Sequence, residues 1–284
     1  MMMNSEITKN TTQDLGPPKR LVYQVYTGKR SELYDFCVDS VMAYCEKYSI
    51  DHIVQKNPIM KIKPDVFATN RSTESYEKYG GFLPIYEKEN AFDYFDLYDQ
   101  IAIIDADVWI RPDSPDVFDY LSNAHDFGGV VEREMPILPW YQQKIKNYSH
   151  MQYHPLREEA DFTPLSATGY EFFNMGVMVM NKSITKYLRK NGIQQSGKEF
   201  IERPEFKRFV DGLGAWKWST DQTLLNYWVR KEKMNLCRLN WKWNALYTAV
   251  SNDDIKKANF VHFFLKDKLP NKGENVEELR KIVI

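Results

Sequence analysis

The feature that most constrains this chain is a run of wholly apolar residues, Ile101-Ala102-Ile103-Ile104, followed at once by Asp105-Ala106-Asp107. An apolar run of this length without alternation suits a strand covered on both faces. Such strands belong to sheets with helices packed on either side, and these sheets bind ligands just beyond the carboxyl ends of their strands. The Asp pair stands at that place. Two carboxylates separated by one residue, where the strand period gives out, can face one hard cation, and their oxygens suit Mg2+ or Mn2+. Asp-x-Asp alone also reads as two ordinary turn-forming aspartates, so the choice rests on the rest of the chain.

The flanking pattern repeats the strand–helix theme. Arg20–Tyr26 is rich in β-formers and reads as a strand that stops at Thr27-Gly28. A helix is predicted from Ser31, its N-cap, to Tyr48, then a short strand over Asp51–Gln55 and a second helix over roughly Ser75–Asp96. Strand, helix, strand, helix, strand is a βαβ series, which predicts an α/β fold with a mixed, mainly parallel sheet. Further strands are expected at Phe127–Val131, Phe172–Met180 and Ala258–Phe264, with a short helix at Val117–Ser122. A helix-containing connection is expected over Lys186–Leu213, a helix over Thr220–Arg230 and a terminal helix over Val276–Ile282. Met135–Gly169 carries Pro136, Pro139, Pro155 and Pro164 and reads as a long irregular segment; Trp140, Tyr141, Tyr148 and Tyr153 make it an ordered wall rather than a linker. The polar stretch 1–19 reads as a disordered tail, and 20–284 as one domain with 135–170 as an insertion on the acceptor side.

Bulk properties remove some function classes. The formal charge is −1 and the basic residues are scattered, so neither nucleic acid nor an anionic membrane is favoured as a partner. No stretch approaches the roughly 18 apolar residues that span a bilayer, and the polar start lacks the apolar core of a secretory signal. Cys37 and Cys45 lie on one predicted helix, about 12 Å apart at 1.5 Å per residue, too far for a disulfide. Three reduced thiols, with Cys237, fit a cytoplasmic setting.

Other residues offer chemistry beside the Asp pair. His262 closes an apolar strand, NFVHFF; it reads either as a core histidine or as a metal ligand, and an imidazole beside two carboxylates shifts the preference toward Mn2+. Asn174-Met175-Gly176 opens another apolar strand, where glycine admits close backbone approach and the amide offers both donor and acceptor. Asp221-Gln222 begins a helix, either as plain capping or as a carboxylate and amide aimed at a polyol. Lys266 and Lys268 follow His262, where an ammonium can meet phosphate or simply stay solvated.

Read in order, YDQIAIIDADVWI (Tyr98–Ile110), FFNMGVMVMNKS (Phe172–Ser183), STDQTLLN (Ser219–Asn226), LNWKWNALY (Leu239–Tyr247) and VHFFLKDK (Val261–Lys268) resemble the GT-A glycosyltransferases, most closely family 8, the glycogenin and lipopolysaccharide galactosyltransferase group. The resemblance spans most of the chain after residue 20. It implies a Rossmann-like GT-A fold and a metal-dependent transfer of sugar from a nucleotide-sugar, UDP-linked, to a glycan or other hydroxyl, with retention of anomeric configuration. Position by position it implies Asp105 at the ribose and the metal, Asp107 and His262 as metal ligands, and Lys268 on the diphosphate. It further implies Thr27 near the nucleotide, Lys88 as a basic residue upstream of the Asp pair, and Asn174, Asp221 and Gln222 facing the donor sugar and reacting centre. Leu265 stands where the family usually has glycine, and Gly28-Lys29-Arg30 where it often has Asn or Asp. Two other functions share parts of this pattern. A sugar-phosphate nucleotidyltransferase would use Thr27-Gly28-Lys29-Arg30 as a triphosphate loop, and a non-catalytic sugar-binding protein would keep the fold without the reaction.

Overall fold

The computed structural model describes residues 16–165 and 167–284, so residues 1–15 of the expected tail lie outside the described residues. The elements follow one another as β1 (Arg20–Val25), α1 (Glu32–Tyr48), β2 (Asp51–Gln55), α2 (Thr73–Glu77), β3 (Gln100–Ile104), β4 (Val108–Ile110) and β5 (Phe127–Val131). Next come α3 (Pro139–Tyr153), the two-residue strands β6 (Pro164–Leu165) and β7 (Gly169–Tyr170), and the long β8 (Phe173–Asn181). The rest is β9 (Arg189–Lys190), β10 (Ile193–Gln194), α4 (Gly197–Ile201), α5 (Lys207–Val210), α6 (Asp221–Lys231), β11 (Leu236–Leu239), β12 (Ala245–Leu246), α7 (Asn252–Ile255), β13 (Phe260–His262) and α8 (Val276–Val283).

The central sheet runs β11-β5-β8-β3-β1-β2. β1 is parallel to both β2 and β3, and β11 is parallel to β5, while β8 is antiparallel to β3 and β5. It is the mixed, mainly parallel α/β sheet that the sequence pattern predicts. Every residue of β3, β5 and β8 is buried, which is why these strands read as continuous apolar runs. α1 packs its Leu33, Cys37, Val41, Tyr44 and Cys45 face inward, starts at a Ser31 cap that accepts from Tyr34 N, and stops at left-handed Ser49.

A second sheet, β12-β13-β4, sets up the site. The chain leaves β3, turns through the Asp pair and immediately forms β4, which pairs antiparallel with β13 so that His262 lies opposite Val108. Phe263 N donates to Asp107 O at 2.8 Å and extends that pairing to the Asp pair itself. β12 runs parallel to β13, with Leu246 opposite His262, and Asn244, just ahead of β12, reaches the His262 ring with its side chain.

Two expectations are corrected. The helix predicted over 75–96 is a short α2, then a turn in which Gly80 and Gly81 take positive φ, then a 3-10 run over Pro84–Asp96. Polar anchoring holds that run: the buried Glu87 carboxylate accepts from Gln55 Nε2 and from the backbone amides of Ile59, Met60 and Lys61. The segment 135–169 is not irregular, because α3 occupies Pro139–Tyr153. Pro139 begins that helix, where the missing N–H costs nothing. Its buried face includes Ser149 and Gln152, which hides the helical period. β4 and β11 were not expected at all.

Asp126, just ahead of β5, ties three segments together. Its carboxylate accepts from Ser183 Oγ (2.6 Å), Lys186 Nζ (3.0 Å), Tyr187 OH (3.0 Å) and Asn235 N (3.0 Å). Burial pushes this carboxyl up, and the hydrogen bonds outweigh burial, so Asp126 titrates below the usual carboxylate range. A depressed folded value means stability that is present above the unfolded pKa, about 3.9, and lost as pH falls through the folded value. Asp126→Asn should therefore cost about 1–3 kcal/mol near neutrality. In urea unfolding the gap to wild type should narrow below roughly pH 4; a gap that stays constant from neutral to acid pH would contradict this assignment.

Candidate active site

The site grows from the turn after β3. Asp105 N donates to Gly176 O at 2.8 Å and Val108 N to Asp105 O at 3.1 Å, which folds the turn tightly against β8. Donor atoms of Asp105, Asp107 and His262 then lie within 4.8 Å of one another. His262 Nε2 is 3.3 Å from Asp107 Oδ1 and 3.9 Å from Asp105 Oδ2. Burial pushes the imidazole down, but the Asp107 and Asp105 carboxylates outweigh it and His262 holds a proton more readily than a free histidine. Asp107 moves the other way: burial raises it, and His262 brings it below its ordinary value. Two carboxylates and an imidazole nitrogen at this spacing fit a divalent cation of the Mn2+ or Mg2+ type.

Lys88 stands behind the Asp pair. Its Nζ lies 2.9 Å from Asp105 Oδ1, 2.8 Å from Asp221 Oδ2 and 2.9 Å from Met175 O. Burial opposes its charge, but Asp105 and Asp221 outweigh burial and keep it firmly protonated. Asp221 itself is raised by burial, with Lys88 pulling against that shift. The helix cap is Thr220, whose hydroxyl accepts from Gln222 N, so the Asp221 side chain is free to meet Lys88. The Gln222 side chain next to it makes only long hydrogen bonds among the described residues, accepting from Met175 N at 3.3 Å and donating to Tyr148 OH at 3.4 Å.

Two cavities meet at these groups. One, of about 360 Å³, is lined by Glu132, Asn174, Gln222 and His262 and walled by Tyr141, Lys144 and Tyr148 of α3, with Trp218 at its rim. The other, of about 270 Å³, is lined by Val25, Thr27, Tyr34, Tyr79, Ile85 and Asp107. Lys88, Asp105 and Asp221 belong to both. The structure thus brings Asp105, Asp107, His262, Lys88, Asn174, Asp221 and Gln222 together, with Thr27 in the adjoining cleft. It does not bring Lys268 to them: that ammonium lies 3.4 Å over the Trp140 ring, whereas Lys266 lies 3.5 Å over Tyr34 in the lining of the second cavity, where its charge helps lower Asp107. Arg30 is exposed and pairs with Asp35 in the first turn of α1, and it is not among the residues that line either cavity. Leu265 takes the left-handed conformation (φ 58°, ψ 59°), so the turn after β13 has a glycine-like shape with a side chain on it.

The sequence reading missed Glu132, Lys144 and Trp218 and gave no role to Asn244, whereas Tyr141 and Tyr148 come from the aromatic segment that it placed on the acceptor side. Glu132 carried a signal that went unused: it follows the buried strand β5 as Asp105 follows β3. Asn174 is less open than the sequence suggested. Its Nδ2 donates to Glu132 Oε2 (2.8 Å), and its Oδ1 accepts from Gly176 N (3.0 Å) and Asn244 Nδ2 (2.8 Å).

Comparison with known proteins agrees with this geometry. Residues 21–268 match the family described as "Glycosyl transferase family 8". Among solved structures, the chain is similar to the galactosyltransferase LgtC in complex with donor and acceptor sugar analogs, at 14% identity over 93% of this chain and 95% of that one, with a TM-score of 0.52. It is similar also to an active-site mutant of LgtC, at 13% identity over 92% of this chain and 95% of that one, with a TM-score of 0.50. At such identities the likeness is one of fold, the GT-A fold. No match was found among curated proteins. The family match leaves the nucleotidyltransferase and the non-catalytic readings without support: the chain belongs to glycosyl transferase family 8 and is a glycosyltransferase.

Proposed function

We propose that this enzyme moves a sugar from a nucleoside-diphosphate sugar, a UDP-sugar, to a hydroxyl of a glycan or similar acceptor, with a divalent ion, Mn2+ or Mg2+, and with retention at the anomeric carbon. One observation carries the reading: the donor atoms of Asp105, Asp107 and His262 converge within 4.8 Å, beside residues shared by two cavities. A bound ion supplies positive charge where the departing diphosphate gathers negative charge. The chain's own residues do the rest. Thr27, at the end of β1, contributes to the nucleotide side, and Asp105 faces both ribose and metal. Lys88 fixes the Asp105 and Asp221 carboxylates relative to each other. With Asp221 engaged by Lys88, its carboxylate is not free to deprotonate an acceptor, which favours retention over inversion. The side-chain amide of Gln222 makes only long hydrogen bonds among the described residues, so it can turn to the reacting sugar at small cost. Lys268 reaches the diphosphate on leaving the Trp140 ring.

The α3 side of the larger cavity takes the acceptor, in keeping with its aromatic wall and the 60% exposed Trp218. The enzyme works in a reducing, cytoplasmic setting: Cys37, Cys45 and Cys237 are free thiols. No helix among the described residues is long and apolar enough to cross a membrane.

Stabilisation by ligand follows occupancy, about 2.7 kcal/mol at a hundredfold excess over Kd. A thermal-shift series of nucleotide-sugars should therefore show one that stabilises the protein only with Mn2+, and Asp107→Ala should abolish the shift. Equal stabilisation of the variant would remove the metal assignment. Gly176 supplies an independent check, because a Cβ there would run into the His262 imidazole. Gly176→Ala should weaken Mn2+ binding by about 10–100-fold, the scale of displaced ligand geometry, measured by calorimetry; undiminished affinity would mean that His262 is not a ligand.

A further inference from the structure

A metal-ligating imidazole must present a bare nitrogen, and which nitrogen is bare is set by the partner of the other. At His262 the carboxylates favour the wrong choice. Asp107 Oδ1 lies 3.3 Å from Nε2, so in the metal-free molecule electrostatics alone would place the proton on Nε2. Something on the far side of the ring has to hold the proton at Nδ1.

His262 Nδ1 lies 3.1 Å from Asn244 Oδ1, and both groups are buried. The orientation of Asn244 is dictated by what lies beyond it. Its Nδ2 donates to Asn174 Oδ1 at 2.8 Å. Asn174 Oδ1 also accepts from the backbone amide of Gly176, a group that can only donate, so the oxygen of Asn174 must face that way. Asn174 Nδ2 then points to Glu132 Oε2, a carboxylate oxygen that accepts. The other Glu132 oxygen is taken by the Tyr141 hydroxyl. Each link has one polarity, and the polarities agree from Glu132 to the imidazole.

We infer that Asn244, oriented by Asn174 and anchored through it on Glu132 and the Gly176 amide, is a positioning residue that keeps the His262 proton on Nδ1 and leaves Nε2 bare for a cation. The inference rests on the metal reading of the site, and it gives Asn174 a role different from contact with the donor sugar. Reversal of Asn244 would turn its NH2 toward Nδ1 and its oxygen toward Asn174 Oδ1, setting two acceptors against each other in a buried place.

The test reads the proton directly. Metal-free protein carrying 15N-labelled histidine is followed by NMR as pH is raised until the His262 ring nitrogens give the signals of a neutral imidazole, alongside Mn2+ titration by calorimetry. Wild type should show His262 as the Nδ1–H tautomer. Asn244→Leu removes the acceptor and should give a population with Nε2–H. Asn174→Leu, which removes no hydrogen bond made by His262 itself, should do the same; Asn174→Asp combined with Glu132→Gln keeps an oxygen toward Asn244 and a donor against the second carboxylate oxygen, and should restore the wild-type tautomer. Both leucine variants should bind Mn2+ about 10–100-fold more weakly. If Asn174→Leu does not fold, Asn174→Ala makes the same comparison, since it removes the same oxygen from Asn244. Nε2–H in the wild type, or a tautomer indifferent to the leucine variants, overturns the relay. Absence of Mn2+ binding with the tautomer pattern intact overturns the metal reading and leaves the relay standing.

Discussion

A buried ammonium organises this molecule. Lys88 comes from a 3-10 run outside the sheet, and its Nζ meets oxygens from the turn after β3, from β8 and from the first residue of α6. Stripping water from an ammonium costs several kcal/mol, and the cost is recovered only if good partners surround it. Four segments therefore have to arrive in register before Lys88 can be buried at all. The same contacts hold Asp105 and Asp221 at a fixed separation. The charge that links the segments is also the one that sets the electrostatics where the two cavities join.

Around that centre the architecture divides its work. The inner strands β3, β5 and β8 of the large sheet are covered on both faces and form the floor. The small sheet returns the chain from far along the sequence, so that β13 lies against β4 and His262 comes to Asp107. Gly176 lets the two layers approach: its carbonyl holds Asp105 N, and its missing side chain leaves space for the imidazole. α3 closes the other side with Tyr141, Ile145 and Tyr148.

Much of this was legible in the sequence, for a stated reason. β3, β5 and β8 are buried on both faces, so apolar content alone marks them; Asp105 and Asp107 come directly after β3, and His262 closes the equally buried β13. What was not legible depends on polar groups that pack inward. Glu87 anchors a 3-10 run that the apolar spacing made look like an α-helix. Ser149 and Gln152 sit on the buried face of α3, and Pro139 looks like a breaker when it is in fact a helix start. Asn244 belonged to a motif already noticed, but nothing in one sequence says that its amide touches a histidine on a neighbouring strand. Local pattern reads burial well and reads hydrogen-bond partners across the fold poorly.

The common wall of the two cavities has a thermodynamic consequence. Lys88, Asp105 and Asp221 form part of each lining. A ligand on the β1 side that draws on the charge of this trio changes the field felt on the α3 side. Linkage is reciprocal, so the second ligand must alter the affinity of the first by the same factor. Order of addition in such a molecule need not come from a moving lid. It can be written into three side chains that neither compartment owns.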